Sequence, residues 1–356
     1  MSLRSSLKFN WKATAKYVGI FILGAGIASL LWYEHLNVEI AAIAAEIKPM
    51  RQANNSYEFI NPLLGFDVPS SIQEFDEYQP LATTINNLVA SESSSAPDAF
   101  GFYFRDLTLG RWTGINETTG FAPGSMMKVV LMIAYFKEAE SDPSILQKVL
   151  IYSSSTADQL NGIPFETPSD LQVGQGYTVD QLIEAMIKSS DNGAKNALLD
   201  DIDPTSLGEI SSDLGFSYLD VTQDYSTYTI SAKQYSVILK ALYNATYLSR
   251  AYSEKALQIL SQAEYNQGLV AGVPGGVVVA QKFGESVNAS STGASVGMPE
   301  ITLSNCGIVY HPTHPYLICV MTEGKNLANL TQTISAISQA TWDAVNGYST
   351  SQALGG

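Results

Sequence analysis

FAPGSMMKVVLMIAYF, residues 121–136, carries the strongest structural signal in the chain. Pro123-Gly124 marks a turn, and a helix can begin at Ser125, which puts that serine in the first turn or at its cap. From Met126 to Phe136 every residue but Lys128 is apolar. A run of eleven residues cannot cross a bilayer, so it predicts a buried central helix. Lys128 is the anomaly in it. An ammonium is costly to bury without partners, so its pKa is expected to fall toward neutrality. One helical turn separates positions 125 and 128, so the two side chains can meet. A hydroxyl beside such a lysine, at a helix N-terminus that favours developing negative charge, is an activated nucleophile. The bland alternative has weight: a second Ser-x-x-Lys, Ser5 with Lys8, lies in the basic N-terminal tail and carries no chemistry.

Outward from this segment, Leu81 to Val89 reads as a short helix. Ala99 to Asp106 and Arg111 to Asn116 read as a hairpin around Thr108-Leu109-Gly110. Helices are predicted over Val179 to Lys188, Ala194 to Leu199 and Tyr235 to Tyr247. Val277 to Lys282 is β-rich, and Leu303 to Tyr310 and Tyr316 to Thr322 read as strands joined by HPTHP. Leu327 to Val345 is a closing helix. Strands thus occur early and late with helices between. That predicts an α+β unit: an antiparallel sheet built from both chain ends, with an inserted all-α region.

Composition closes off several functions. Acidic residues outnumber basic ones 34 to 19, for a net charge of −15, and the four charges of the first 33 residues (Arg4, Lys8, Lys12, Lys16) are all basic. The remaining body is more acidic still, which argues against nucleic-acid binding. The three histidines, His35, His311 and His314, are poorly placed for a Ser-His-Asp triad or a His-rich zinc site. A hydrolase of this sequence needs another base. Two cysteines, Cys306 and Cys319, cannot make a four-thiolate metal site. No feature calls for a metal or organic cofactor. If the final hairpin turns between Pro312 and Thr313, the cysteines stand directly opposite and can form a disulfide; the alternative is two small buried hydrophobes.

Tyr17 to Tyr33, YVGIFILGAGIASLLWY, is uncharged and apolar. With Ala13 to Lys16 it reaches the length of a transmembrane helix. Basic residues precede it, Glu34 follows, and Trp32 and Tyr33 sit where an interface belt would lie. This predicts a single-pass anchor with the N-terminus cytoplasmic and the body outside the cytoplasm. A cleaved signal peptide, with Ala42-Ile43-Ala44 as its cleavage site, is the competing reading.

Two further segments follow Ser125 in order. Ser190-Asp191-Asn192 alone reads as a helix–helix loop, and Lys282-Phe283-Gly284 alone as a strand end. Together with Ser125 and Lys128, at separations of 65 and 92 residues, they resemble the S-x-x-K, S-D-N and K-T-G trio of class A β-lactamases and penicillin-binding proteins. Ile151-Tyr152-Ser153 and Gly176-Tyr177-Thr178-Val179 resemble the flanks that precede S-D-N in that family. The resemblance covers about Leu81 to Val345 and implies a serine β-lactamase/DD-peptidase-like fold. With the anchor reading, the expected parts are a basic tail over 1–16, the anchor (or signal peptide) over 17–33, a stalk and connector over 34–80, the β-lactamase-like serine hydrolase domain over 81–346 and a flexible tail over 347–356.

The resemblance also implies roles. Ser125 would attack the carbonyl of a β-lactam or a peptidoglycan-like amide. Lys128 would act as base, and Ser190 would pass the proton to the leaving nitrogen. Asn192 would orient Lys128 and hold the substrate amide. Lys282 would supply positive potential for a substrate carboxylate. Gly284 would let the strand approach, so that the N–H groups of Ser125 and Glu285 form the oxyanion hole. The sequence departs from the family twice. Phe283 replaces a hydroxyl residue. The segment 214–235, LGFSYLDVTQDYSTYTISAKQY, holds no glutamate to activate a deacylating water, and Asp220 and Asp224 are its only acids. Asp224 is the weak substitute; solvated loop aspartates are the alternative. Acylation with slow hydrolysis is therefore expected, with a DD-peptidase or a non-hydrolysing sensor as the neighbouring readings.

Overall fold

The computed structural model describes residues 21–22, 24–33, 35, 51, 56–64, 78–92, 95–153, 169–215, 228–288 and 300–354. The chain divides into two compact units, Met1–Lys48 and Pro49–Gly356. In the first, the described residues 21–33 are helical, with Phe21, Ile22, Leu30, Leu31 and Trp32 exposed. Among the described residues no helix is long and apolar enough to cross a membrane. The remainder of the predicted anchor, and the Ala42-Ile43-Ala44 site, lie outside them.

The second unit is built on a five-stranded antiparallel sheet. Its strands are β1 (Ala99–Asp106), β2 (Trp112–Ile115), β7 (Val279–Asn288), β8 (Glu300–Val309) and β9 (Tyr316–Gly324), in the order β2-β1-β9-β8-β7. The two ends of the chain thus share one sheet, as the strand distribution predicts. Side-chain alternation gives the sheet two buried faces. Phe102, Phe104, Ile318 and Val320 point to one face. There they pack with Leu81, Ile85 and Val89 of α1 (Gln79–Ser91) and Leu330, Ile334 and Ile337 of α8 (Leu327–Leu354). Tyr103, Leu317, Cys319 and Met321 point to the other face, into the helical region.

The centre of that region is α2 (Lys128–Ala139), preceded by a 3₁₀ turn at Gly124–Met127. Residues 128–136 are all buried, as expected of a helix apolar on every side. Around it stand α3 (Val179–Lys188), α4 (Asn192–Leu199), α5 (Pro204–Asp213), α6 (Ala232–Asn244) and α7 (Arg250–Ser261). Two short ladders complete the unit: β3 (Gly120–Phe121) with β6 (Ile230–Ser231), and β4 (Val149–Ile151) with β5 (Gly176–Thr178).

Residues 56–64 of the connector pack into the second unit: Phe59 and Ile60 are buried, and the Glu254 carboxylate accepts the backbone N–H groups of Glu58, Phe59 and Ile60. The closing helix continues to Leu354, through the tail predicted as flexible, because no glycine or proline after Gly347 interrupts it before Gly355.

Candidate active site

Ser125 is half-buried in the 3₁₀ turn, and Lys128 is the first residue of α2. Residues i and i+3 eclipse in a 3₁₀ turn, so positions 125 and 128 share one side of it. The tighter turn replaces the α-helical first turn that the sequence predicts. It is fixed from outside by Tyr235 of α6, whose hydroxyl donates to the Met126 carbonyl at 3.1 Å. Burial pushes the Tyr235 phenol well above its ordinary range, which keeps it a donor.

The turn is pressed against β7. A Cβ added at Gly284 would run into the Pro123 carbonyl and lie 2.8 Å from Met126 Cγ and 3.0 Å from Met126 N. A Cβ at Gly124, whose φ is +51°, would run into the Glu285 carbonyl and lie 2.9 Å from Glu285 N. The two glycines permit this backbone-to-backbone approach, which sets the turn that carries Ser125 against the strand segment that carries Glu285.

Ser190, between α3 and α4, is where the predicted motifs meet. Its Oγ accepts from Lys128 Nζ at 3.1 Å and from Lys282 Nζ at 2.9 Å, and its carbonyl accepts a further hydrogen bond from Lys128 Nζ. All three residues are at most 3% exposed. A hydroxyl has two lone pairs and one proton. With both lone pairs used by lysine N–H groups, the proton of Ser190 is left to donate. The residue holds φ at +60°, a conformation that costs a non-glycine residue of order 1–3 kcal/mol.

Asp191 keeps the Ser190 turn in place. Its Oδ1 accepts from Ala194 N at 2.8 Å as the N-cap of α4, both its oxygens lie 3.1 Å from Tyr152 Oη, and Ser169 Oγ donates to Oδ2. The Tyr152 ring lies over Gly193, where a Cβ would meet it at 2.7 Å. In the sequence Tyr152 belongs only to a flank of the family resemblance and Ser169 to no motif; neither has a local signal for this role. Asn192, half-buried, opens α4 beside them.

On β7, Phe283 is buried and stacks on Tyr265, with centroids 4.3 Å apart and planes at 26°. Lys282 Nζ stands 4.4 Å from the Phe283 centroid, a cation–π contact. Asn305, opposite Phe283 on β8, accepts from Leu269 N and donates to Gln281 Oε1 and the Lys282 carbonyl. One row across the sheet carries Lys282, Cys306, Cys319 and Tyr103 side by side. Cys306 and Cys319 form a disulfide there, with Cα atoms 4.0 Å apart.

His311 bonds Asn346 at 3.0 Å, and His314 Nδ1 lies 3.3 Å from Asp106 Oδ2. Asp220 and Asp224 lie outside the described residues. Among the described residues no group of three His, Cys, Asp or Glu side chains could hold a metal ion.

A family model described as "Beta-lactamase enzyme family" matches residues 80–345. Among solved structures, PBP-A superposes with a TM-score of 0.61 at 20% identity, covering 78% of this chain and 100% of that one, both free and as a mutant in acyl-enzyme complex with penicillin G. A class A beta-lactamase from Mycobacterium abscessus superposes with a TM-score of 0.60 at 20% identity, over 74% of this chain and 99% of its own. A beta-lactamase from Chitinophaga pinensis gives 0.61 and 20%, over 75% and 99%. No curated protein matches the chain. At such identity the structural likeness is one of fold.

Proposed function

The chain belongs to the beta-lactamase enzyme family, and from that premise we propose that it is a serine acyl-transfer enzyme with Ser125 as nucleophile. Ser125 Oγ attacks the carbonyl of a β-lactam or a peptidoglycan-like amide, while Lys128, as a free amine, takes its proton. The C–N bond breaks as Ser190 hands its proton to the leaving nitrogen and is resupplied through Lys128. Lys282 keeps positive potential on Ser190, and Asn192 orients Lys128. The oxyanion sits between the N–H groups of Ser125 and Glu285, where such donors are worth about two to three orders of magnitude in rate. One observation carries this reading. Ser190 Oγ accepts from two buried lysines, so its own proton is free for the site, beside the turn that bears Ser125.

Deacylation is proposed to be slow. The segment 214–235 supplies no glutamate, and Asp224 is a shorter candidate for its work. This favours a penicillin-binding protein or sensor over an efficient β-lactamase. The N-terminal segment is proposed as an uncleaved anchor holding the body outside the cytoplasm; the exposed apolar side chains of residues 21–33 support it. Carbonate extraction tests the anchor: release of the full-length chain from membranes would refute it.

For the chemistry, the full-length chain is incubated with benzylpenicillin and followed by intact mass. A persistent adduct mapping to Ser125 is expected, and Ser125→Ala abolishes it. An adduct that survives Ser125→Ala sinks the assignment of the nucleophile. A transient adduct with hydrolysed drug accumulating refutes slow deacylation and points to Asp224.

A further inference from the structure

Resting on Ser125 as nucleophile, we infer that Tyr235 is a positioning residue for the acylation step, holding Ser125 and Lys128 in register through the Met126 carbonyl. Met126 lies between the two in the 3₁₀ turn. It is fully buried, and its N–H donates to the Pro123 carbonyl at 3.1 Å. Its carbonyl shares the Lys128 backbone N–H with the Ser125 carbonyl, so the turn's own hydrogen bonding at this point is divided. The Tyr235 hydroxyl reaches the same carbonyl from outside the turn, at 3.1 Å. A buried carbonyl left short of a partner is costly, so loss of that hydroxyl favours any rearrangement of the turn that repairs it. Such a rearrangement falls between nucleophile and base.

The segment that carries Tyr235 is itself tied to the nucleophile's turn. Ile230–Ser231 (β6) pairs with Gly120–Phe121 (β3), the chain that leads into Pro123-Gly124. Ser231 and Gln234 close a capping box at the start of α6, immediately before Tyr235. Residues 230–235 thus hold the turn on both sides of Ser125, by backbone at 120–121 and by the hydroxyl at 126. Tyr235 is fully buried, and burial raises its phenol well above the ordinary range, so the hydroxyl stays protonated and keeps donating. Its ring belongs to the apolar core, where phenylalanine would fill the same space; the hydroxyl is the part that the turn uses. The stretch 214–235, which supplies no glutamate for deacylation, therefore ends in a residue that serves acylation.

Tyr235→Phe removes the hydroxyl and keeps the ring. Tyr135→Phe is the control: Tyr135 is equally buried, about two helical turns along α2 from Lys128, and its hydroxyl donates to the Leu198 carbonyl at 2.8 Å. Acylation of the full-length chain by benzylpenicillin is timed by intact mass over a range of drug concentrations. This separates the dissociation constant from the acylation rate constant, and urea denaturation reads stability. A misplacement of about 1 Å costs about 100-fold in rate, and a turn released at one of its holds moves by less, so Tyr235→Phe is expected to lower the acylation rate constant about tenfold. The dissociation constant should stay within about twofold, because the hydroxyl does not touch the drug. Tyr135→Phe should lose comparable stability and keep its acylation rate constant within about twofold of the parent. Acylation by Tyr235→Phe within about twofold of the parent overturns the inference. So does a loss confined to the dissociation constant, or an equal loss of rate in Tyr135→Phe; each of these leaves Ser125 standing. If Tyr235→Phe does not fold, Tyr235→Met, which also lacks the donor, is read in the same way. Failure of both to fold while Tyr135→Phe folds makes Tyr235 a structural residue and overturns the inference. Labelling of Ser125 in the parent by neither benzylpenicillin nor p-nitrophenyl acetate overturns the nucleophile and the inference with it.

Discussion

Replacing Gly284 with alanine adds one carbon where the structure has no room. The new Cβ would run into the Pro123 carbonyl, and it would lie 2.8 Å from Met126 Cγ and 3.0 Å from Met126 N. Met126 Cγ can swing aside. The carbonyl and the amide cannot, because they belong to the 3₁₀ turn that starts α2, buried on every side. Restoring ordinary contact therefore moves β7 away from the turn by about 1 Å. Overpacking of this kind costs about 1–3 kcal/mol of stability. The chemical cost is larger, since the displaced segment carries the Glu285 amide. A misplacement of about 1 Å at a reacting centre lowers the rate by about 100-fold. Urea denaturation measures the first effect and the acylation rate with benzylpenicillin the second. Gly275→Ala is the control: a Cβ there meets nothing within 4 Å and φ is not positive, so both quantities should hold. A Gly284→Ala enzyme that acylates within twofold of the parent, at unchanged urea midpoint, would refute the close approach and the oxyanion site built on it.

Three further perturbations separate strain, charge and packing. Ser190→Gly and Ser190→Ala both remove the hydroxyl, but only glycine is at ease at φ +60°. Both should lose acylation, with the glycine variant more stable by about 1 kcal/mol in urea denaturation; equal stability would show that the backbone is unstrained. Gly208 lies inside α5 with nothing within 4 Å of an added Cβ, so Gly208→Ala should stabilise by about 0.5–1 kcal/mol without changing acylation. Glu323 has its carboxyl raised by burial first and by Glu300 second, against a hydrogen bond from Thr302. A carboxyl raised in the folded state weakens stability as pH climbs from its unfolded value through its folded one. Glu323→Gln should therefore stabilise at neutral pH and make no difference at pH 3; a pH-independent effect in thermal melts would exclude this cause.

The sequence shows β1, β2, β9 and α3 to within two residues, while β7 runs six residues past its predicted end at Lys282. The reasons for the agreement are local: Ala99–Asp106 opens on a run without charge and is ended by a turn. Val179–Lys188 is bracketed by a Thr178–Gln181 capping box. α6 begins three residues before its predicted start, at a second capping box, Ser231 with Gln234, which is a readable signal that apolar spacing alone passes over. α5 and α7 escape the same reading because their apolar residues are sparse, although Asp203-Pro204 and Ser249 mark their starts. In the site, it is the resemblance of the three segments to a family's motifs, and not any one of them alone, that predicts Ser190, Lys128 and Lys282 together, and hydrogen bonds join the three. The motifs cannot supply the left-handed backbone of Ser190 or the grip of Tyr152 on Asp191, 39 residues away. Those depend on packing between segments with no local pattern in common.

Strain and charge coincide at one residue, and that coincidence is the physical argument for function. Ser190 sits in an unfavourable backbone region, almost wholly buried, between the amino groups of two buried lysines. Each of these features costs stability, and replacement of buried charges by apolar residues of similar size is often neutral or stabilising. A fold selected for stability alone has no use for the arrangement. Its supports are elaborate all the same. Asp191 is held by Tyr152, Ser169 and the first turn of α4, and Lys282 by a strand whose glycine admits the turn before α2. The disulfide in the row beside Lys282 ties β8 to β9 at the level of the site. Rigid elements on three sides thus hold the Ser190 hydroxyl against Lys128 and Lys282, next to the turn that bears Ser125.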